Sequence, residues 1–136
     1  MVESNLHKSL VKIIGRWINS YSSEEMIVYT DAEDSFSGNI PPKIDTFIPD
    51  IFAKEMNSKY VIIGEAKSSQ RDLESEHSEK QLIAYLRYCK NKPNSIVVLA
   101  VPFNIVNCAR SLVQAMKKQN QLTLVKTEVL TSIPLM

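Results

Sequence analysis

The chain is poor in the residues that mark several special-purpose architectures. Two cysteines, Cys89 and Cys108, are too few for a disulfide framework, and neither stands with a histidine at zinc-binding spacing. A cytoplasmic protein with reduced thiols is expected. Three glycines, Gly15, Gly38 and Gly64, provide no glycine-rich loop to cradle phosphates, which excludes a nucleotide-binding α/β domain. The longest apolar run, Ile96 to Val101, falls far short of the roughly 20 residues that span a bilayer. Glu3, His7, Lys8, Lys12 and Arg16 also break up any leader-like stretch, so no membrane partner is expected. Repeats and low-complexity tracts are absent too, and 136 residues suffice for one domain spanning 1–136.

Net charge is only +1, but it is unevenly spread. Met1 to Ser78 holds eight Lys and Arg against thirteen Asp and Glu, whereas Glu79 to Met136 holds eight against two. An acidic half that could hold a cation, joined to a basic half that could hold phosphates, suits a metal-dependent enzyme acting on nucleic acid. Two solvated faces of opposite sign would give the same distribution.

Hydrophobic periodicity orders the chain as αβββαβαβ. Leu6, Leu10, Ile13, Ile14 and Trp17 recur at helical spacing within Glu3 to Ser20. Met26 to Thr30 suits a strand, and Asp31 to Lys43, rich in Asp, Ser, Gly, Asn and Pro, reads as a loop. Ile44 to Met56 and Lys59 to Lys67 read as a hairpin turning at Asn57-Ser58. Ser78 with Gln81 resembles a capping box for a helix running to about Lys92, where Pro93 stops it. Ser95 to Val101 reads as a covered strand at the centre of the sheet, Ile105 to Met116 as a helix, and Leu122 to Val129 as a last strand. The fold class expected is α/β, a mixed β-sheet flanked by helices.

The third strand carries the chemistry. Along Val61-Ile62-Ile63-Gly64-Glu65-Ala66-Lys67 side chains alternate, so Ile63, Glu65 and Lys67 share one face while Ile62 and Ala66 share the other. Charges in an apolar strand are costly without a partner or a purpose. A hairpin centred on Asn57-Ser58 sets Phe52 opposite Ile63 and Asp50 opposite Glu65, and like charges so placed, about 5 Å apart at Cβ, repel unless something neutralises them. A divalent cation would, since two carboxylates, a backbone carbonyl and waters make the hard oxygen shell that Mg²⁺ takes.

Pro49-Asp50, fourteen intervening residues, then Glu65-Ala66-Lys67 resembles the PD-(D/E)XK motif of the restriction-endonuclease-like nuclease superfamily. Gln81-Leu82-Ile83-Ala84-Tyr85 resembles the QxxxY motif that some branches carry on the following helix. The resemblance covers roughly residues 3 to 102 and implies the αβββαβ core of that superfamily. It implies a Mg²⁺-dependent DNA nuclease, with Mn²⁺ as a substitute, in DNA repair, recombination or defence, similar to Holliday junction resolvases or replication-repair nucleases. By the same resemblance, Asp50, Glu65 and the Ala66 carbonyl hold the metal, joined by Glu3 of the first helix. Lys67 orients the attacking water and offsets charge on the phosphorane, and Gln81 and Tyr85 position Lys67, metal waters or a phosphate. A chain this small reaches one strand from one site, so cutting both strands implies a homodimer.

Plainer readings stand beside these. Glu65 with Lys67 could be an ion pair at a strand end, and Asp50 after Pro49 a turn residue; together, in this register, they favour a site. His7 and His77 are read as surface or capping residues. Lys90, Lys92, Arg110, Lys117 and Lys118 are candidate phosphate contacts that would otherwise pass as solvated helix surface. The competing function is a non-catalytic nucleic-acid-binding or interaction module that keeps the nuclease fold.

Overall fold

A computed structural model describes residues 4–22, 25–30, 40–57 and 60–132. Among them, five strands form one mixed sheet in the order β1-β2-β3-β4-β5, with helices on both faces. The strands are β1 (Met26–Thr30), β2 (Ile51–Glu55), β3 (Val61–Ala66), β4 (Ile96–Val101) and β5 (Lys126–Thr131). The helices are α1 (Asn5–Tyr21), α2 (Gln70–Leu73), α3 (Glu76–Lys90) and α4 (Val106–Gln119), the last entered through a 3₁₀ turn at Phe103–Ile105. β1, β2 and β3 pair antiparallel, whereas β3, β4 and β5 pair parallel through the α3 and α4 crossovers. This is the expected α/β class, and no described helix is long and apolar enough to cross a membrane.

The alternation along β3 divides the core. Ile62 and Ala66 face α1, whose stripe of Leu10, Ile14 and Ile18 is buried against Ala53, Val98 and Ala100. Ile63 faces α3 and α4, among Leu82, Tyr85, Leu86, Leu99 and Val113. Gly64 permits the close approach of α1, because a Cβ there would lie 2.7 Å from Ile14 Cγ2. A buried, β-branched isoleucine in a fixed rotamer has little room to yield.

Several sequence expectations need correction. The sheet centres on β3 rather than on Ser95–Val101, although β4 is also interior and buried along its whole length. The segment from Ile44 is not continuous strand. Ile44 and Phe47 exchange backbone hydrogen bonds of 2.8 and 3.0 Å around Asp45-Thr46, with Asp45 left-handed at φ 62°, and β2 begins only at Ile51. Pro49, which has no N–H to give a ladder, lies between the two. Ser75, not Ser78, caps α3, its Oγ accepting the Ser78 N–H at 3.1 Å. The last strand starts at Lys126, since Leu122 instead ends a turn whose N–H donates to the Lys117 carbonyl at 2.7 Å. Glu3, residues 31–39 of the expected loop and Ser58 of the expected turn lie outside the described residues.

Candidate active site

The β2–β3 register is the predicted one, with Phe52 opposite Ile63 and Ile51 opposite Gly64. The next step along the same diagonal brings Asp50, in the bend before β2, to Glu65 near the end of β3. The Asp50 main-chain N–H donates to Glu65 Oε1 at 3.3 Å, and Asp50 Oδ2 accepts the Ala66 N–H at 2.9 Å. Since the Ala66 N–H turns toward Asp50, the Ala66 carbonyl turns to that side of the strand as well. Its partner in the register would be Pro49, which has no N–H. The ladder therefore stops at the point where a carbonyl faces the Asp50 side.

On the α3 face, four side chains close a ring. Lys67 Nζ lies 3.6 Å from Glu65 Oε2 and donates to Gln81 Oε1 at 2.7 Å. Gln81 Nε2 donates to the Tyr85 oxygen at 3.1 Å, and the Tyr85 hydroxyl donates to Glu65 Oε1 at 3.4 Å. Gln81 and Tyr85 share a face because they are four residues apart on α3. All four are buried, Glu65 and Lys67 each at 5 % exposure. Burial first, and then the Asp50 charge, push the Glu65 carboxyl well above the usual carboxylate range, with the Lys67 ammonium opposing. Burial and the Glu65 charge also raise the Tyr85 phenol, so it stays protonated and serves as a donor.

Two further groups belong to this neighbourhood. His7 Nε2, from the first turns of α1, lies 3.3 Å from Asp50 Oδ1. The sequence predicts a surface or capping residue at His7, yet His7 lies three residues before Leu10 and seven before Ile14, on the stripe that α1 buries. A histidine on that stripe was the available signal. Ser78, one turn before Gln81 and Leu82, is fully buried, and among the described residues its Oγ has no hydrogen-bond partner.

The structure thus brings together Asp50, Glu65, Ala66, Lys67, Gln81 and Tyr85. The basic candidates lie elsewhere. α3 runs back against the direction of β3, so Lys90 and Lys92 sit toward the start of that strand, where Ser95 Oγ accepts the Val61 N–H at 2.9 Å. Arg110 and Lys118 are exposed on α4. Lys117 is not a surface phosphate contact: it is 7 % exposed, its ammonium donates to Thr127 Oγ1 at 3.3 Å, and desolvation lowers its pKa.

As a cation site the cluster supplies hard oxygen donors of the type Mg²⁺ and Mn²⁺ take. Two carboxylates are held together where one lysine offsets only part of their charge. Among the described residues no group of three or more His, Cys, Asp and Glu is gathered to hold an ion. The fit therefore rests on Asp50 and Glu65 with the Ala66 carbonyl and water. No protein-family model, curated protein or solved structure matches this chain.

Proposed function

We propose that the protein is a Mg²⁺-dependent nuclease that hydrolyses phosphodiester bonds in DNA, acting in the cytoplasm in repair, recombination or defence. The observation that supports this reading is the enforced meeting of Asp50 and Glu65, with Lys67 buried beside them and held by Gln81. A folded chain gains nothing in stability from desolvating two carboxylates against each other, so the arrangement calls for a function. Asp50, Glu65 and the Ala66 carbonyl would hold the ion. When bound, the ion supplies positive charge to the phosphate and acidifies water, where Mn²⁺ also serves.

The chain's own residues do the positioning. Gln81 fixes the Lys67 ammonium beside Glu65, where it can orient the attacking water and offset negative charge growing on the phosphate oxygens. Tyr85, kept protonated, holds Glu65 in place by a hydrogen bond from its hydroxyl. Ser78 offers an unused hydroxyl on the same helix. Cleavage of both strands of a duplex would take two copies of the chain.

The test is incubation of the purified protein with linear, nicked, branched and single-stranded DNA in Mg²⁺ or Mn²⁺. Cleavage of at least one substrate is expected, lost in Lys67→Ala while DNA binding is retained. No cleavage of any substrate would overturn the proposal in favour of a binding module that keeps the fold.

A further inference from the structure

Beside the candidate site, α3 carries a second stripe. Lys80, Ile83, Ala84, Arg87 and Tyr88 fall at i, i+3, i+4, i+7 and i+8, the spacing of one helix face, next to the stripe that carries Gln81 and Tyr85. Together with the Ile44–Phe47 turn they line a groove of about 590 Å³. Tyr88 also lines a second hollow of about 750 Å³, together with Tyr29, Phe52, Lys54 and Lys92 among others. Two of the groove's lining residues are chain neighbours of the candidate site: Phe47 lies three residues before Asp50, and Lys80 directly precedes Gln81. From Lys80 to Tyr88 the groove runs about 12 Å at 1.5 Å per helical residue.

Chemistry selects the occupant. Among the described residues, Lys54, Lys80, Arg87 and Lys92 line the two hollows against one carboxylate, that of Asp45. Lys80 meets Glu76 in an exposed pair at 3.2 Å, whereas Lys54 and Arg87 are exposed and paired with no described carboxylate. Interleaved with these charges are the half-buried aromatics Phe47 and Tyr88, the latter packed on the buried Phe52. Phe47 meets His77 edge-on at 5.3 Å, Tyr88 meets Phe52 edge-on at 6.3 Å, and Lys92 Nζ stands 5.1 Å from the Tyr88 ring centroid. Cations that track a phosphate backbone beside aromatic faces that take bases are what a single strand requires. A duplex keeps its bases stacked inside and could reach only the rim charges.

We infer that this groove binds an unpaired DNA strand that leads to the candidate active site, so that the substrate is single-stranded or carries an unpaired flank. At 3.4 Å per stacked nucleotide, the stretch along α3 accommodates about three bases. The inference rests on the nuclease reading for where the strand leads, whereas strand binding itself requires no cleavage.

Binding of a fluorescent thymidine oligonucleotide in chelator, so that nothing is cut, tests it against a blunt duplex of equal length. The wild type should prefer the single strand. Tyr88→Ala should weaken single-strand binding about 5- to 150-fold, the range for loss of one stacked base, and Tyr88→Phe should restore it. Arg87→Glu, at an exposed position outside the core, should weaken binding and flatten its salt dependence. Wild-type affinity in both Tyr88→Ala and Arg87→Glu, or equal affinity for the duplex, would overturn the inference. If these variants lose single-strand binding in a protein that cuts no DNA, the groove stands and the nuclease reading falls. Cutting with single-strand binding unaltered in both variants does the reverse.

Discussion

Asp50 and Glu65 are held together by two hydrogen bonds, each from a main-chain N–H to a carboxylate: the Asp50 N–H donates to Glu65 Oε1, and the Asp50 carboxylate accepts from the N–H of the residue after Glu65, Ala66. Neither carboxylate can turn away without losing a hydrogen bond. Their repulsion is therefore built into the folded state and absent from the unfolded one, where the chain separates them. Stability and protonation become linked through this pair, and a cation bound there would join the linkage.

The linkage predicts a pH dependence. Glu65 has its pKa raised in the fold, by burial first and by Asp50 second. The folded state thus keeps a proton that the unfolded state releases near the usual value of about 4.3. The associated stability is complete below that pH and is lost as pH rises toward the folded value. In chelator the melting temperature should therefore fall as pH rises above the ordinary carboxylate range. The gain from Mg²⁺, which competes with the proton, should grow with pH. Glu65→Gln should remove both trends; melting curves from pH 5 to 8 that match in the variant and the wild type would count against a perturbed Glu65.

Removing the other charge separates a ligand from a turn residue. Asp50→Asn can keep an oxygen for the Ala66 N–H while relieving the repulsion, so it should melt at or above the wild type in chelator. It should gain much less from Mg²⁺, where a true ligand pair yields about 2.7 kcal/mol at a hundred times Kd. An ordinary turn carboxylate would instead lose about 1 kcal/mol in both conditions. Equal Mg²⁺-induced shifts in variant and wild type would mean that Asp50 is not a ligand.

That the candidate residues meet is legible in the sequence for a simple reason. Strand side chains alternate with period two and a hairpin pairs residues of constant sum, so Asp50 meeting Glu65 followed once Ile63, Glu65 and Lys67 shared a face. Gln81 and Tyr85 followed from helical period on α3. What stayed hidden depends on contacts between elements distant in sequence. His7 reaches Asp50 because α1 lies close on β3, an approach set by Gly64 and Ile14. The burial of Lys117 depends on how α4 is rotated against β5, which charge and spacing alone do not reveal. The α3 cap was misplaced because Ser75 and Ser78 both suit the role, and the short α2 leads directly to the first of them.

The α1 approach can be tested at Gly64. An alanine there would place its Cβ 2.7 Å from Ile14 Cγ2, a contact that real Cβ atoms do not tolerate, so α1 or the isoleucine must shift. Gly64→Ala should cost about 1–3 kcal/mol in chemical denaturation. The pair Gly64→Ala with Ile14→Val still leaves a Cγ branch in place and should recover only part of that loss, whereas Ile14→Ala in the same background should recover more than additivity allows. Purely additive effects at Gly64 and Ile14 would mean that α1 is not held at this distance.

The ring through Lys67 and Gln81 yields a prediction free of any substrate or metal. Lys67 donates to Gln81 at 2.7 Å, and a buried hydrogen bond to a charged group typically contributes about 1.5–3 kcal/mol net. Lys67→Met and Gln81→Met each keep most of the side-chain volume and remove one end of the bond. Each should destabilise the fold in chelator, Lys67→Met by removing the ammonium that faces Glu65 and leaving the Gln81 oxygen without its donor, and Gln81→Met through a stranded ammonium and the loss of the Tyr85 contact. The double variant should cost less than the two together, because the second substitution removes a partner already lost. A coupling of about 1.5–3 kcal/mol from the double-mutant cycle is expected. A coupling near zero would place Lys67 in solvent exchange rather than in the ring, and Gln81 would then have no hold on the proposed catalytic ammonium. If the coupling is found, Gln81→Met should also lower cleavage at saturating DNA with little change in DNA affinity, since it moves Lys67 without removing its charge.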